Sequence, residues 1–358
     1  MHEERLAKLR KILPNKSSAI LILNNHNRYY FGGFMSSAGA LLVTRGRAIH
    51  LLDGRYFNAV GDCKNPNEIE FMLLKNLRNQ LVNLVKNLKI AKIFTEPAIS
   101  VERLESFKKM FDFAEVISSA KLKSAIENQR IIKNEHEIEC IKSAQKITDS
   151  ALAEVLKIIK PGVSELEIAA EIDYFMKRFG SPKSAFETIV AAGKNSAVPH
   201  HVPGNYRVKN GDAILMDFGA TFENYCSDMT RTVFLGKPND EQKSVYNAVL
   251  AAQKSAIDVA QSGIAAKDVD YAARSFLETQ NLKKCFSHGT GHGAGIYIHE
   301  EPILAKSCNK KLKNGMVITI EPGVYLKNKF GVRIEDMLQI VDGGAINLTK
   351  SPKNLICL

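Results

Sequence analysis

"NGDAILMDFGATFENYCSDMTRTVFLG", residues 210–236, sets two runs of apolar residues on either side of a short polar turn. That pattern predicts a β-hairpin. Each arm carries an aspartate: Asp217 follows four apolar residues in "AILMDFG", and Asp228 lies in "CSDMTRTVF". A carboxylate embedded in an apolar strand is costly unless it is paired or bound to metal. Alone, either would read as a turn acid or a surface acid. Two of them, one on each arm of a hairpin, can converge on one point, and together they favour a metal.

The same anomaly recurs downstream. Glu321 closes "VITIE" just before Pro322-Gly323, and Glu335 lies inside "GVRIEDML". Strand alternation places Arg333, Glu335 and Met337 on one face and Asp336 on the other. Four carboxylates are thus expected on strands. Between them, "FSHGTGHGAGIYIHEEP" (286–302) packs His288, His292 and His299 among glycines. A polar connecting loop is the plain reading of such a segment. The company it keeps favours a metal site. Two Asp, one His and two Glu suit a pair of divalent ions sharing bridging carboxylates. An oxygen-rich set with one imidazole suits Mn²⁺, Co²⁺ or Fe²⁺ at least as well as Zn²⁺.

The surrounding chain reads as two domains, an α/β domain over residues 1–125 and a second region over 126–358. In the first, "SAILILNN", "GALLVTRGRAIHLLD", "IEFMLL" and "AKIFTEP" read as strands, and "LRNQLVNLVKNL" and "SVERLESFKKMF" as helices. The stretch from Ala120 to Ile159 reads as one long helical region. The helix "SELEIAAEIDYFMKRFG" is expected to be capped by Ser164 and ended by Gly180. "AFETIVAAG" reads as a strand, and "DEQKSVYNAVLAAQKSAIDVAQSG" and "AKDVDYAARSFLETQ" as amphipathic helices. "GMVITIEPGVYL" and "GVRIEDMLQIVDGG" read as two closing strands.

Composition narrows the function classes. The 358 residues carry a formal charge of +11, 45% apolar residues and no Trp. Lys and Arg are spread along the chain and the densest clusters lack interleaved aromatics, so no nucleic-acid partner is expected. Six scattered cysteines form no CxxC pair, which fits a reducing, cytoplasmic setting. "MHEERLAKLRKILP" reads as an amphipathic helix and not a signal peptide, and no membrane span is expected. "GTGHGA" matches a dinucleotide-type glycine pattern, but no apolar strand precedes it. Cys285, near His288, shows no sign of an activated thiolate.

"MDFGATFENYCSDMTRTV", "HGTGHGAGIYIHEEP", "ITIEPGVY" and "VRIED", in that order, resemble the pita-bread dinuclear metallopeptidases. That family includes aminopeptidase P, prolidase and methionine aminopeptidase. The resemblance runs from about residue 129 to the last residue, and "DGRY" (53–56) and "RLAKLRKIL" resemble the N-terminal domain of the prolidase and aminopeptidase P branch. It implies a two-domain α/β chain: a creatinase-like α/β domain followed by a pita-bread α+β catalytic domain. It implies that Asp217, Asp228, His292, Glu321 and Glu335 hold two divalent ions, Mn²⁺ above the others, with Asp228 and Glu335 bridging. By the same resemblance a hydroxide shared by the ions attacks the peptide carbonyl, and Glu321 passes a proton to the leaving nitrogen. His299 supports the oxyanion, His200 and His288 line the substrate pocket, and Arg333 braces the site. "PHH" offers both His200 and His201 for the first pocket position. The implied activity is removal of an N-terminal residue that precedes proline by a homodimeric Xaa-Pro aminopeptidase. The alternatives are an Xaa-Pro dipeptidase, then a methionine aminopeptidase, then a non-catalytic binding relative.

Overall fold

The computed structural model describes residues 2–62 and 69–358, so Cys63, counted above, lies outside the described residues. Contacts divide the chain into Met1–Arg130 and Ile131–Leu358.

The first unit runs α1 (His2–Arg10), β1 (Ser18–Ile22), α2 (Asn25–Gly32), β2 (Gly39–Val43), β3 (Ala48–Asp53), α3 (Gly54–Phe57), β4 (Glu70–Leu74), α4 (Leu77–Asn87), β5 (Lys92–Thr95), α5 (Val101–Met110), β6 (Glu115–Ser118) and α6 (Ala120–Arg130). Its strands form one mixed sheet in the order β4-β3-β2-β1-β5-β6. Leu6 and Leu9 of α1 are fully buried, as their helical spacing requires. The expected strand "GALLVTRGRAIHLLD" is in fact two, β2 and β3, because the chain turns at Thr44, whose N–H donates to Arg47 O at 2.8 Å.

The second unit runs α7 (Glu135–Val155), α8 (Glu165–Arg178), β7 (Ile189–Ala192), β8 (Ala213–Phe218), β9 (Thr221–Phe222), β10 (Tyr225–Cys226), β11 (Met229–Phe234), α9 (Asp240–Val259), α10 (Ala266–Thr279), β12 (Gly291–Gly293), β13 (Glu300–Leu304), β14 (Val317–Ile320), β15 (Gly323–Leu326), β16 (Phe330–Arg333), β17 (Asp336–Val341) and β18 (Gly344–Asn347). The strands form a three-stranded sheet β11-β8-β7, a five-stranded sheet β13-β12-β14-β17-β18, and the pairs β9–β10 and β15–β16. Val245, Val249, Ala252 and Ala256 of α9 bury one stripe together with Val269, Ala273 and Leu277 of α10 against Ile318, Ile320 and Leu338. Ile168, Ile172 and Met176 of α8 pack with Leu152 and Val155 of α7 onto Val190, Ile214 and Met216. Full burial of such side chains is worth about 1.5–3 kcal/mol each, which holds the two sheets rigid beneath the loops they carry.

Two departures from the sequence reading have local causes. The long helical stretch breaks between α6 and α7. There Lys133 N–H donates to Gly315 O at 2.8 Å and its ammonium reaches Glu300 at 3.1 Å. Asn134 then starts α7 with a capping box closed by Glu137. The last apolar runs are also split, at Glu321 and at Glu335. Pro322 has no N–H to continue β14. Glu335 N–H donates to Thr230 O at 3.1 Å, outside the β14–β17 ladder. Of the four carboxylates expected on strands, only Asp217 lies inside one. Asp228, Glu321 and Glu335 sit at the breaks.

Candidate metal centre

The expected hairpin is present: β8 and β11 pair antiparallel, with Asp217 opposite Thr230. Its tip leaves the sheet as the separate β9–β10 ribbon. Asp228 immediately precedes β11, at the point where the tip rejoins the sheet. A Cβ on Gly219 would stand 1.9 Å from Ser227 O, so the two arms can close this tightly only with glycine there.

The carboxylates gather around the histidine segment. Ligand atoms of Asp228, His292 and Glu335 all lie within 4.8 Å of one another. His292 Nε2 stands 3.5 Å from Asp228 Oδ2 and 3.5 Å from Glu321 Oε1. Its Nδ1 faces Gly293 O at 3.1 Å, which leaves Nε2 turned toward the acids. Gly291 allows this segment to run against β14, since a Cβ there would stand 2.0 Å from Thr319 O. Thr230 Oγ1 donates to Glu335 Oε2 at 2.7 Å and accepts from Arg333 Nε at 3.0 Å. Arg333 Nη2 donates to Asp217 Oδ2 at 2.7 Å, while Nη1 donates to Tyr325 OH at 2.8 Å. Arg333 and Glu335 therefore share one side, and Asp336 turns away to pair with Arg231 at 2.9 Å.

The other expected histidines adjoin this cluster. His288 Nε2 lies 2.8 Å from Tyr325 OH, so a chain of contacts runs from His288 through Tyr325 and Arg333 to Asp217. The His299 ring stands 4.5 Å from that of His292, edge to face. His200 is near enough to act electrostatically on both His288 and His299. His201 instead bonds Glu165 Oε2 at 2.9 Å.

Sequence reasoning missed Thr230, whose signal was its place on the second arm of the hairpin, two residues beyond Asp228. It also missed Glu165. That carboxylate is fully buried and accepts from Ala192 N, Asn195 Nδ2 and Gly204 N as well as facing His201. In the sequence it looks like any acid in a first helical turn.

The electrostatics ask for a cation. Burial, and then the neighbouring carboxylates, push Asp228 and Glu335 well above the usual carboxylate range. Burial pushes Glu321 up to about 8. Burial, and then His299, pulls His292 down to about 4, so its ring is neutral and able to ligate. Arg333 bonds only one of the four acids, and Asp217 Oδ1 is buried with no hydrogen-bond partner among the described residues. A buried acceptor of this kind needs a partner. An oxygen-rich set with one neutral imidazole fits divalent cations.

The pattern of Metallopeptidase family M24 matches residues 139–342, and that of the Creatinase/Prolidase N-terminal domain matches residues 5–132. An Xaa-Pro dipeptidase from Pyrococcus furiosus is 36% identical over 357 residues, covering 99% of this chain and 100% of that protein. The solved Xaa-Pro dipeptidase from Bacillus anthracis is 36% identical, with a TM-score of 0.94 and full coverage of both chains. The X-Pro aminopeptidase from Thermotoga maritima is 33% identical, with a TM-score of 0.90, covering 98% of this chain and 100% of that one. A creatinase-type N-terminal domain followed by a pita-bread catalytic domain is thus the fold, and this chain belongs to metallopeptidase family M24.

Proposed function

We propose that this chain hydrolyses the bond between an N-terminal residue and a following proline, as an Xaa-Pro aminopeptidase. The observation that carries the reading is the gathering of Asp228, Glu321 and Glu335 about a neutral His292, with Asp217 nearby and its buried Oδ1 without a hydrogen-bond partner among the described residues. In this reading those five residues would hold two divalent ions, Mn²⁺ by preference. When bound, such ions supply Lewis acidity toward the peptide carbonyl and lower the pKa of water.

The chain's own groups do the rest. A peptide bond to proline is a tertiary amide with no N–H, and its nitrogen leaves as an amine only after gaining a proton. Glu321 carries that proton on a carboxyl oxygen at the edge of the cluster. His299, exposed beside His292, donates toward the carbonyl oxygen as charge develops there. His200 and His288, with Tyr325, wall a slot for the proline ring. Tyr325 fixes His288, and Arg333 fixes Tyr325. Glu165 holds His201, and so presents His200 to the pocket.

Arg333 also bears on substrate length. It is buried, and four of its five N–H donors go to Thr230, Tyr325, Pro199 O and Asp217, which leaves little of this guanidinium for a dipeptide's terminal carboxylate. That favours the aminopeptidase reading. The second reading, an Xaa-Pro dipeptidase, is supported by the names of the Pyrococcus furiosus and Bacillus anthracis relatives. A homodimer in a reducing cytoplasmic setting completes the proposal, and the five described cysteines are free thiols.

A peptide panel with Mn²⁺, Co²⁺ and Zn²⁺ supplied in turn tests it. Ala-Pro-Ala should be cut at least about tenfold better than Ala-Ala-Ala, a 1.4 kcal/mol difference in transition-state binding. Cleavage of Ala-Pro without Ala-Pro-Ala would make the chain a dipeptidase. Met-Ala-Ala as best substrate would make it a methionine aminopeptidase.

A further inference from the structure

A second group of ligand-type side chains lies apart from the carboxylate cluster. His136 and Cys140 stand one helical turn apart on α7, and Glu223 reaches them from the turn between β9 and β10. His136 Nε2 is 3.7 Å from Cys140 Sγ and 3.5 Å from Glu223 Oε2, and Cys140 Sγ is 3.5 Å from Glu223 Oε2. The histidine–glutamate separation is too long for a charge-assisted hydrogen bond, which spans about 2.7–2.9 Å. It matches another geometry. A tetrahedral zinc ion with bonds of about 2.3 Å to sulfur, 2.05 Å to nitrogen and 2.1 Å to oxygen sets its ligand atoms about 3.6 Å (N to S), 3.6 Å (S to O) and 3.4 Å (N to O) apart. The observed triangle reproduces those three edges to within a few tenths of an ångström.

The scaffold holds the triangle from both sides. Tyr225 OH, in the strand after the turn, donates to Glu137 Oε1 at 2.9 Å, and Glu137 also closes the α7 capping box. Glu223 and Asn224 form the turn with φ of 45° and 66°. A glutamate is unusual in that left-handed region. The sulfur is buried, whereas the side chains of His136 and Glu223 are half-exposed, so the fourth vertex opens to solvent.

We propose that His136, Cys140 and Glu223 form a mononuclear site for a thiophilic divalent cation, Zn²⁺ by preference, with water as the fourth ligand. The site is separate from the carboxylate cluster and clasps the β9–β10 ribbon to α7. On binding, the Cys140 S–H bond breaks, its proton passes to solvent, and a sulfur–metal bond forms; nothing is oxidised or reduced. Burial, and then Glu223, pushes the free thiol up to about 12, so the metal-free site holds a neutral S–H. The clasped ribbon feeds directly into Asp228, so the ion would stiffen one wall of the carboxylate cluster from outside it.

Titration of the metal-free full chain with Co²⁺ tests the proposal. A cysteine thiolate bound to Co²⁺ gives a near-ultraviolet charge-transfer band, which ligation by carboxylates and imidazole does not give. The expected result is one saturable band that Zn²⁺ displaces. The band is lost in Cys140→Ser and in His136→Ala, and kept in Cys357→Ala, which removes an exposed thiol. Because His136 is exposed, its removal leaves the fold intact, so loss of the band in that variant reports the ligand itself. Absence of the band at saturating Co²⁺ would overturn the proposal, as would a band that survives Cys140→Ser. Either outcome leaves the carboxylate cluster untouched, since that cluster contains no thiol.

Discussion

Replacing Glu335 by Gln separates the two things its carboxylate does. Glu335 is 1% exposed and accepts from Thr230 Oγ1 at 2.7 Å. Gln has the same shape and can still accept that bond, so packing is conserved. What disappears is the charge. Without metal, the native carboxylate is buried beside Glu321 and Asp217, and burial with that repulsion already disfavours its ionised form. The metal-free variant should therefore be at least as stable as the metal-free parent. With metal the order reverses. A ligand present at 100 times its dissociation constant adds about 2.7 kcal/mol to folding. For a domain of about 200 residues that is a rise in Tm of roughly 5–10 °C. The variant should lose most of this rise, bind less metal by elemental analysis, and show no turnover of Ala-Pro-Ala. Thermal melts of both proteins, stripped and then reloaded with Mn²⁺, measure every term. A variant with the parent's metal-induced shift and activity would refute the ligand role. A metal-free variant that melts far below its parent would show that Glu335 is chiefly a structural brace.

Three more outcomes are expected. His299→Ala should lower kcat by about 10²–10³, or about 3–4 kcal/mol, as for loss of one oxyanion donor, with metal content unchanged; a loss of metal would instead make His299 a ligand. Arg333→Ala should cost about 3–5 kcal/mol in urea denaturation by stranding Asp217, Thr230 and Tyr325, and Arg333→Lys should not restore it, because one ammonium cannot hold all three. A parent-like urea midpoint for Arg333→Ala would contradict this. In the first unit His50 is fully buried, and burial, then Arg28, pulls its pKa down to about 3. The unfolded chain then takes up a proton that the folded one refuses, so the stability from His50 is complete above about pH 6.5 and falls as pH drops toward 3. Lowering pH from about 7 to about 5 should cost about 2 kcal/mol on this account, and His50→Leu should remove that part of the slope; an identical slope in the variant would count against it.

The parts of the site legible in the sequence were those whose signal is local. Asp217 stood out because four apolar residues precede it on a strand that the hydrophobic core covers. Ser164 announced α8 because a cap and its Glu167 partner lie within one turn. What escaped was decided by residues far along the chain. In the sequence only the preceding Pro199 favours His200 over His201. The structure adds a distant partner: Glu165, more than thirty residues earlier, binds His201, and His200 lies near His288 and His299. The helical period carries on through Ile131, but Lys133 leaves the helix for Gly315 and Glu300. The strand breaks at Glu321 and Glu335 belong to the same class. Three of the four acids occupy interruptions, where a side chain is released from the alternation of the sheet and can turn toward a shared centre. A period of two can place a carboxylate on a face, but gathering Asp228, Glu321 and Glu335 about one imidazole requires the chain to leave that period. The positions where pattern reading failed are therefore the positions where the site is assembled.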